Sequence, residues 1–130
     1  MQFFDLNGKV VKIDIRQSKH PRRNVSKSQL QTKVGEVLDN LYPHDSVLEE
    51  FFLPGSRLSV DFFIPSRSLV IEIQGVQHDQ HVEFFHGKRE TSLKFGKQQQ
   101  RDRQKAYWCE LNGLKFVEIR SEKDIDQLYE

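Results

Sequence analysis

The stretch from Arg57 to Gln74, RLSVDFFIPSRSLVIEIQ, constrains the fold more than any other part of the chain. Two runs rich in β-branched and aromatic residues flank a short turn around Pro65 and Ser66, the pattern of a β-hairpin. With Ile64 facing Leu69, the period of two puts Leu58, Val60, Phe62, Ile64, Leu69, Ile71 and Ile73 on one face. Ser59, Asp61, Phe63, Val70, Glu72 and Gln74 fall on the other. A slip by one residue destroys that segregation, so the pattern itself specifies the register. Asp61 then lies directly opposite Glu72, with Cβ atoms about 4.5–5.5 Å apart.

Like charges so placed repel, and a hard cation between them reverses the sign. Mg²⁺ takes carboxylate oxygens, keeps water ligands and bridges to phosphate. Metal-bound water is a better nucleophile, and the cation offsets charge growing on a phosphorane. A pair merely tolerated on a solvated face predicts lysines or threonines nearby. These carboxylates sit instead among Phe62, Phe63, Val70, Ile71 and Ile73, which favours a metal site. Gln74, two residues beyond Glu72, can hydrogen-bond the attacking water or the phosphate, without the positive charge of a lysine.

The remaining chain supplies the frame. FFDLNGKVVKIDI alternates as two short strands around a two-residue Asn7-Gly8 turn. Residues 16–27 are basic, contain Pro21 and have no apolar period, so they read as a linker. A helix capped by Ser26 or Ser28 carries Leu30, Val34, Val37, Leu38 and Leu41 as one stripe until Pro43 stops it. SVLEEFFL is a strand that ends at a Pro54-Gly55 turn. Residues 75–97 show no period and read as a long loop or broken helix. QQQRDRQKAYWCELN is a helix with an untidy apolar arc, ending at Gly113. LKFVEI is a strand, and EKDIDQLY a short helix capped by Ser121. This order predicts an α/β domain, a mixed central β-sheet flanked by helices, with an N-terminal β-hairpin. A chain of 130 residues suits a single domain. Its parts are a hairpin over 1–15, the linker over 16–27, a core over 28–120 and a C-terminal helix over 121–130.

Composition removes several classes. No apolar run is long enough to span a membrane, and the N-terminus lacks a signal-peptide core. The lone Cys109 excludes an intrachain disulfide framework and a multi-cysteine zinc site, and suits a reducing, cytoplasmic compartment. His78, His81 and His86 match no zinc spacing. The net charge is only +1, but basic residues are grouped. Lys19, Arg22 and Arg23 lie in the linker, where they could form an arm along a groove. Lys88, Arg89, Lys94, Lys97, Arg101 and Lys105 follow the aromatic pair Phe84-Phe85. Such segments suit a phosphate backbone; solvated faces are the alternative. Helix-turn-helix and zinc-finger signatures are absent.

An Asp on one strand followed after a hairpin by Glu-x-Lys on the next is the mark of the PD-(D/E)XK nuclease superfamily. Here the elements are Asp61 and Glu72-Ile73-Gln74, with Val60 where that pattern has proline and Gln74 where it has lysine. The longer context, VDFFIPSRSLVIEIQGVQH and then FGKQQQRDRQKAYWCELNGLKFVEIR, resembles the branch related to the very-short-patch repair endonucleases. That branch includes the EDxHD homing endonucleases, and the resemblance runs over roughly 28–120. It implies a PD-(D/E)XK, restriction-endonuclease-like core that hydrolyses phosphodiester bonds in double-stranded DNA. The implied cofactor is Mg²⁺ or Mn²⁺, with no organic cofactor and no membrane partner. Asp61 and Glu72 would hold the metal, with the Ile73 carbonyl as a third ligand. Gln74 takes the variable position. His78 would move a proton or orient water, and Asp102 would orient His78. Glu36 matches the helical glutamate, with Glu49 and Glu50 as substitutes.

The resemblance points to a free-standing homing endonuclease acting in a bacterial or phage-infected cell. A homodimer would supply the two active sites that double-strand cleavage ordinarily needs. A repair or restriction-type nuclease shares this chemistry. A non-catalytic nucleic-acid-binding module on the same fold is the reading from another class.

Overall fold

Strand pairing follows the alternation of the 57–74 segment. In the computed structural model, which describes residues 1–14, 28–74 and 88–129 and leaves out the side chains of 88–96 and 98, Phe62, Phe63 and Ile64 pair with Ile71, Val70 and Leu69. These are β4 (Ser59–Ile64) and β5 (Leu69–Ile73), antiparallel and joined by a 3₁₀ turn over Pro65–Arg67. Pro65 presets that turn, and Ser68 closes it with a left-handed φ of 50° and its N–H on the Pro65 carbonyl.

Strand β3 (Leu48–Phe52) adds antiparallel to β4, and β6 (Lys115–Ile119) adds parallel to β5. The sheet is therefore mixed, in the order β3-β4-β5-β6. A parallel pair needs a long crossover, and the β5–β6 connection contains a 24-residue helix, Lys88–Leu111. The other long helix, α1 (Gln29–Leu41), precedes β3; the crossover helix is α2. Ser28 caps α1, its Oγ accepting from the Gln31 amide at 3.1 Å. The chain ends in a 3₁₀ helix over Glu122–Tyr129. The Asp124 carboxylate accepts from the Arg120 and Ser121 amides and closes its first turn, in place of the expected Ser121 cap.

Two hydrophobic clusters hold the layers together. Phe62, Ile64, Leu69, Ile71, Val117 and Ile119 pack with Val34 and Leu38 of α1 and with Leu128 of the C-terminal 3₁₀ helix. On the other face Leu48, Phe51, Val60, Phe63 and Val70 pack with Trp108 and Cys109 of α2 and with Phe3. The rings of Phe3, Phe63 and Trp108 meet at centroid distances of 5.6–5.9 Å, within the range of favourable aromatic pairs.

These clusters correct the one-faced reading of the hairpin. Leu58 and Val60 pack with Phe63 and Val70, not with Phe62 and Ile64. The alternation switches at Asp61, opposite Glu50, whose φ of 56° disturbs β3 at the same level. A sheet covered on both faces is apolar at both parities, and the period of two then stops distinguishing them.

Two further expectations change. Helix α2 begins at Lys88, well before the expected start near Gln98. Its first half carries few apolar residues, so helix-favouring Lys, Arg, Glu and Gln sustain it without a period. The N-terminal strands β1 (Gln2–Phe4) and β2 (Val10–Lys12) pair antiparallel around a three-residue loop, Leu6-Asn7-Gly8, not a two-residue turn. Gly8 takes the left-handed position at φ 81°, and the Asp5 carboxylate accepts from the Asn7 and Lys9 amides. The expected linker over 16–27 lies outside the described residues. Among the described residues, no helix is long and apolar enough to cross a membrane.

Candidate active site

The β4–β5 ladder stops at the Phe62–Ile71 pair, and the polar residues gather just beyond it. Asp61 Oδ2 accepts from the Ile73 amide at 2.7 Å, so a side chain satisfies a donor that the ladder no longer pairs. The next position on β5 in this register is Glu72, which is 6% exposed. Glu118 lies beside Glu72 on β6, and Glu50 lies level with Asp61 on β3. All four strands thus carry a carboxylate in one row, at the C-terminal end of the parallel strands β5 and β6. In open α/β sheets ligands bind at that end.

Glu72 carries the strongest perturbation. Burial pushes its carboxyl up to about 9, helped by a hydrogen bond and by the charge of Asp61, with Lys105 opposing. Glu72 is therefore the carboxyl that keeps its proton at neutral pH. Lys105 reaches in from α2 and sets its Nζ 3.1 Å from Glu72 Oε2, with both side chains largely buried. The approach is close but poorly aligned, since Oε2 has no hydrogen bond of good geometry. Cys109, one turn further along α2, is pushed up to about 12 by burial and then by the charge of Glu72, so it is an inert thiol.

The donor set suits a hard divalent cation. Two carboxyl groups lie adjacent, Glu72 carries a proton that a cation can replace, and its buried Oε2 lacks an aligned donor. Among the described residues, no three His, Cys, Asp or Glu side chains converge on one point. Mg²⁺ needs no such cage, because it retains several waters and binds through one or two carboxylates.

The structure brings Asp61, Glu72 and Ile73 together. Gln74 follows directly, half-buried, with its amide on the Ile119 carbonyl at 2.8 Å. Asp102 is half-buried and lies three residues before Lys105, hence adjacent on the helix surface. His78 lies outside the described residues, as do Lys19, Arg22, Arg23 and the side chains of Lys88, Arg89 and Lys94. Lys97 and Arg101 are exposed on α2, four residues apart on one ridge. Lys105 continues that ridge, but its ammonium turns inward to Glu72 and away from the surface role expected of it.

Glu36 does not join the group. It is exposed and lies about 200° around α1 from the buried Val34. The α1 side chain that enters the polar region is Gln31, 3% exposed. Its Nε2 donates to Glu49 Oε2 at 2.6 Å and to Glu50 Oε1 at 3.2 Å. A signal for Gln31 existed: Gln31, Val34 and Leu38 share helical spacing, so one polar residue sits in the apolar stripe. For Lys105 there was none, because its partner is chosen by how α2 lies on the sheet.

No family model and no solved structure matches the chain. An uncharacterized protein of Invertebrate iridescent virus 3, protein 033L, is 34% identical over 67 residues, which is 52% of this chain and 33% of that protein. The chain thus spans about a third of the length of the curated relative it matches.

Proposed function

We propose that this chain is a metal-dependent endonuclease that hydrolyses phosphodiester bonds in double-stranded DNA, with a PD-(D/E)XK core of the EDxHD, very-short-patch-repair-like type. The observation that carries the reading is the Asp61–Glu72 pair, Glu72 buried and Asp61 half-buried, which crowds two carboxyl groups at the C-terminal end of the parallel strands. Mg²⁺, or Mn²⁺, would be held by Asp61, Glu72 and the Ile73 carbonyl, and when bound it supplies an activated water and positive charge at the phosphate. Asp61 is fixed by the Ile73 amide, which limits the rotamer search its carboxylate would otherwise need. Gln74 would orient water or phosphate. His78 would pass the proton, with Asp102 setting its tautomer. The exposed Lys97 and Arg101 suit the DNA backbone.

A free-standing homing endonuclease, working as a homodimer for double-strand cuts, is the form this reading takes. Repair or restriction-type enzymes would share the site, and cleavage mapping on defined duplexes separates them. One observation favours a second reading, a non-catalytic DNA-binding module. Lys105 already pairs with Glu72, and Gln74 brings no charge, so the buried group is neutralised internally. Plasmid cleavage by wild type and Asp61→Ala, with Mg²⁺ and with EDTA, decides between them. The nuclease predicts cutting that both controls abolish. The binding module predicts salt-sensitive binding, no cutting on any substrate, and an Asp61→Ala variant that binds as well as wild type.

A further inference from the structure

We propose that Lys105 is a catalytic residue of this site, supplying from α2 the positive charge that β5 lacks at Gln74. The inference rests on the nuclease reading and concerns how its transition state is neutralised. In hydrolysis a water oxygen forms the new P–O bond and its proton leaves to a base. The departing oxygen takes the electron pair of the broken P–O bond and gains a proton, giving a monoester and an alcohol. Between these states the phosphorane carries one more negative charge than the diester. Two ionised carboxylates and one divalent cation cancel each other, so that extra charge calls for a further cation.

The described residues offer few candidates. Gln74 is neutral, and Lys97 and Arg101 are exposed on the outer part of the α2 ridge. Arg120 is 70% exposed and stands 3.7 Å from Glu118. Lys105 alone among the described cations touches the Asp61–Glu72 pair, at 3.1 Å from Glu72 Oε2 and with a side chain only 12% exposed.

Its base is held by buried neighbours, and its long stem can re-aim the charge. Trp108 and Cys109, three and four residues on, are 0% and 1% exposed and fix this part of α2 against the sheet. The four-carbon stem ends in a compact charge with three donors. One donor can stay with Glu72 while another meets a phosphate oxygen. The poor alignment at Oε2 fits a cation that is not committed to that oxygen alone.

The test measures single-turnover cleavage of a plasmid that wild type cuts in Mg²⁺, duplex affinity in Ca²⁺, and thermal melting. It compares wild type, Asp61→Ala, Lys105→Met, and Lys105→Met combined with Gln74→Lys. Lys105→Met is expected to cut about a hundredfold more slowly, the size of losing one transition-state donor, with affinity within about twofold of wild type. Returning the charge to the strand with Gln74→Lys is expected to recover at least about tenfold of that loss. If Lys105→Met does not melt cooperatively, Lys105→Gln, which keeps a donor and most of the stem, takes its place with the same expectation. Wild-type cutting by the folded Lys105 variant, or an equal loss of rate and affinity with no recovery by Gln74→Lys, overturns the role of Lys105. Either result leaves the nuclease reading standing, since that reading depends on wild type against Asp61→Ala. No cutting by wild type overturns both.

Discussion

Glu72 gives the folded chain a pH-dependent stability. Its carboxyl is raised from an ordinary value of 4.5 to about 9 by burial and by Asp61. Between those values the folded state holds a proton that the unfolded chain has released, so unfolding stability falls as pH rises. The contribution is fully present below pH 4.5 and is lost through about pH 9. Urea melts from pH 5 to pH 9 should show this decline, and Glu72→Gln, which cannot ionise, should remove the part due to this residue. If the proposed metal site is correct, a divalent cation displaces the same proton, so Mg²⁺ addition should release protons and affinity should rise with pH. Calorimetry in two buffers of different ionisation enthalpy measures that release, and Glu72→Gln should reduce it. Cys109 behaves in the opposite sense to a reactive thiol. Raised to about 12 and 1% exposed, it should react with a disulfide reagent only when the chain unfolds, at a rate that tracks the denaturant transition.

The N-terminal hairpin is held to α2 by one residue more than by any other. Asn112 accepts from the Phe4 amide at 2.7 Å and returns a donor to the Phe4 carbonyl at 3.1 Å, while Trp108 Nε1 reaches that carbonyl at 2.8 Å. Asn112→Ala removes the side-chain partner of the exposed Phe4 N–H and should cost about 0.5–1.5 kcal/mol, read as a lower denaturant midpoint with an unchanged slope. Faster hydrogen exchange concentrated in β1 and β2 would place the loss at this attachment. None of this was legible in the sequence, because an Asn after a helix reads only as a terminator. What was legible came from local periods. The β4–β5 register followed from apolar alternation near the turn, and α1 followed from its stripe and the Ser28 cap. The Asp61–Glu72 pair came with that register. The first half of α2 was hidden because propensity without an apolar face leaves no period. The two-sided core was hidden because Val60 and Phe62 look alike in sequence and face different layers. Gln31 and Lys105 reach their carboxylate partners through packing of α1 and α2, a choice made at longer range than any spacing encodes.

At the scale of the molecule the chain separates its chemistry by direction. Apolar residues fill both faces of the sheet, while the polar row of Glu50, Asp61, Glu72 and Glu118 crosses its far end. Helix α2 links the two regions: its C-terminal turns are anchored by Trp108 and Cys109, and its exposed Lys97 and Arg101 continue outward from Lys105. A DNA backbone following that ridge would be led to the carboxylates by charge of the opposite sign to theirs. Each phosphate neutralised releases condensed counterions, so each such contact adds about 0.9 to the salt dependence of duplex binding. Replacing both Lys97 and Arg101 with Gln should therefore lower the slope of log affinity against log salt by about 2, equally on all sequences. Single-turnover cleavage at saturating protein should stay near wild type, because both residues are exposed on the outer part of the ridge. An unchanged salt slope would mean that the duplex approaches from another side. A large loss of saturated rate would mean that the ridge shapes the cleavage step itself. Asp61→Ala works in the other direction. By removing a negative charge from the site, it should bind duplex at least as tightly as wild type at low salt, where repulsion between carboxylate and phosphate is least screened.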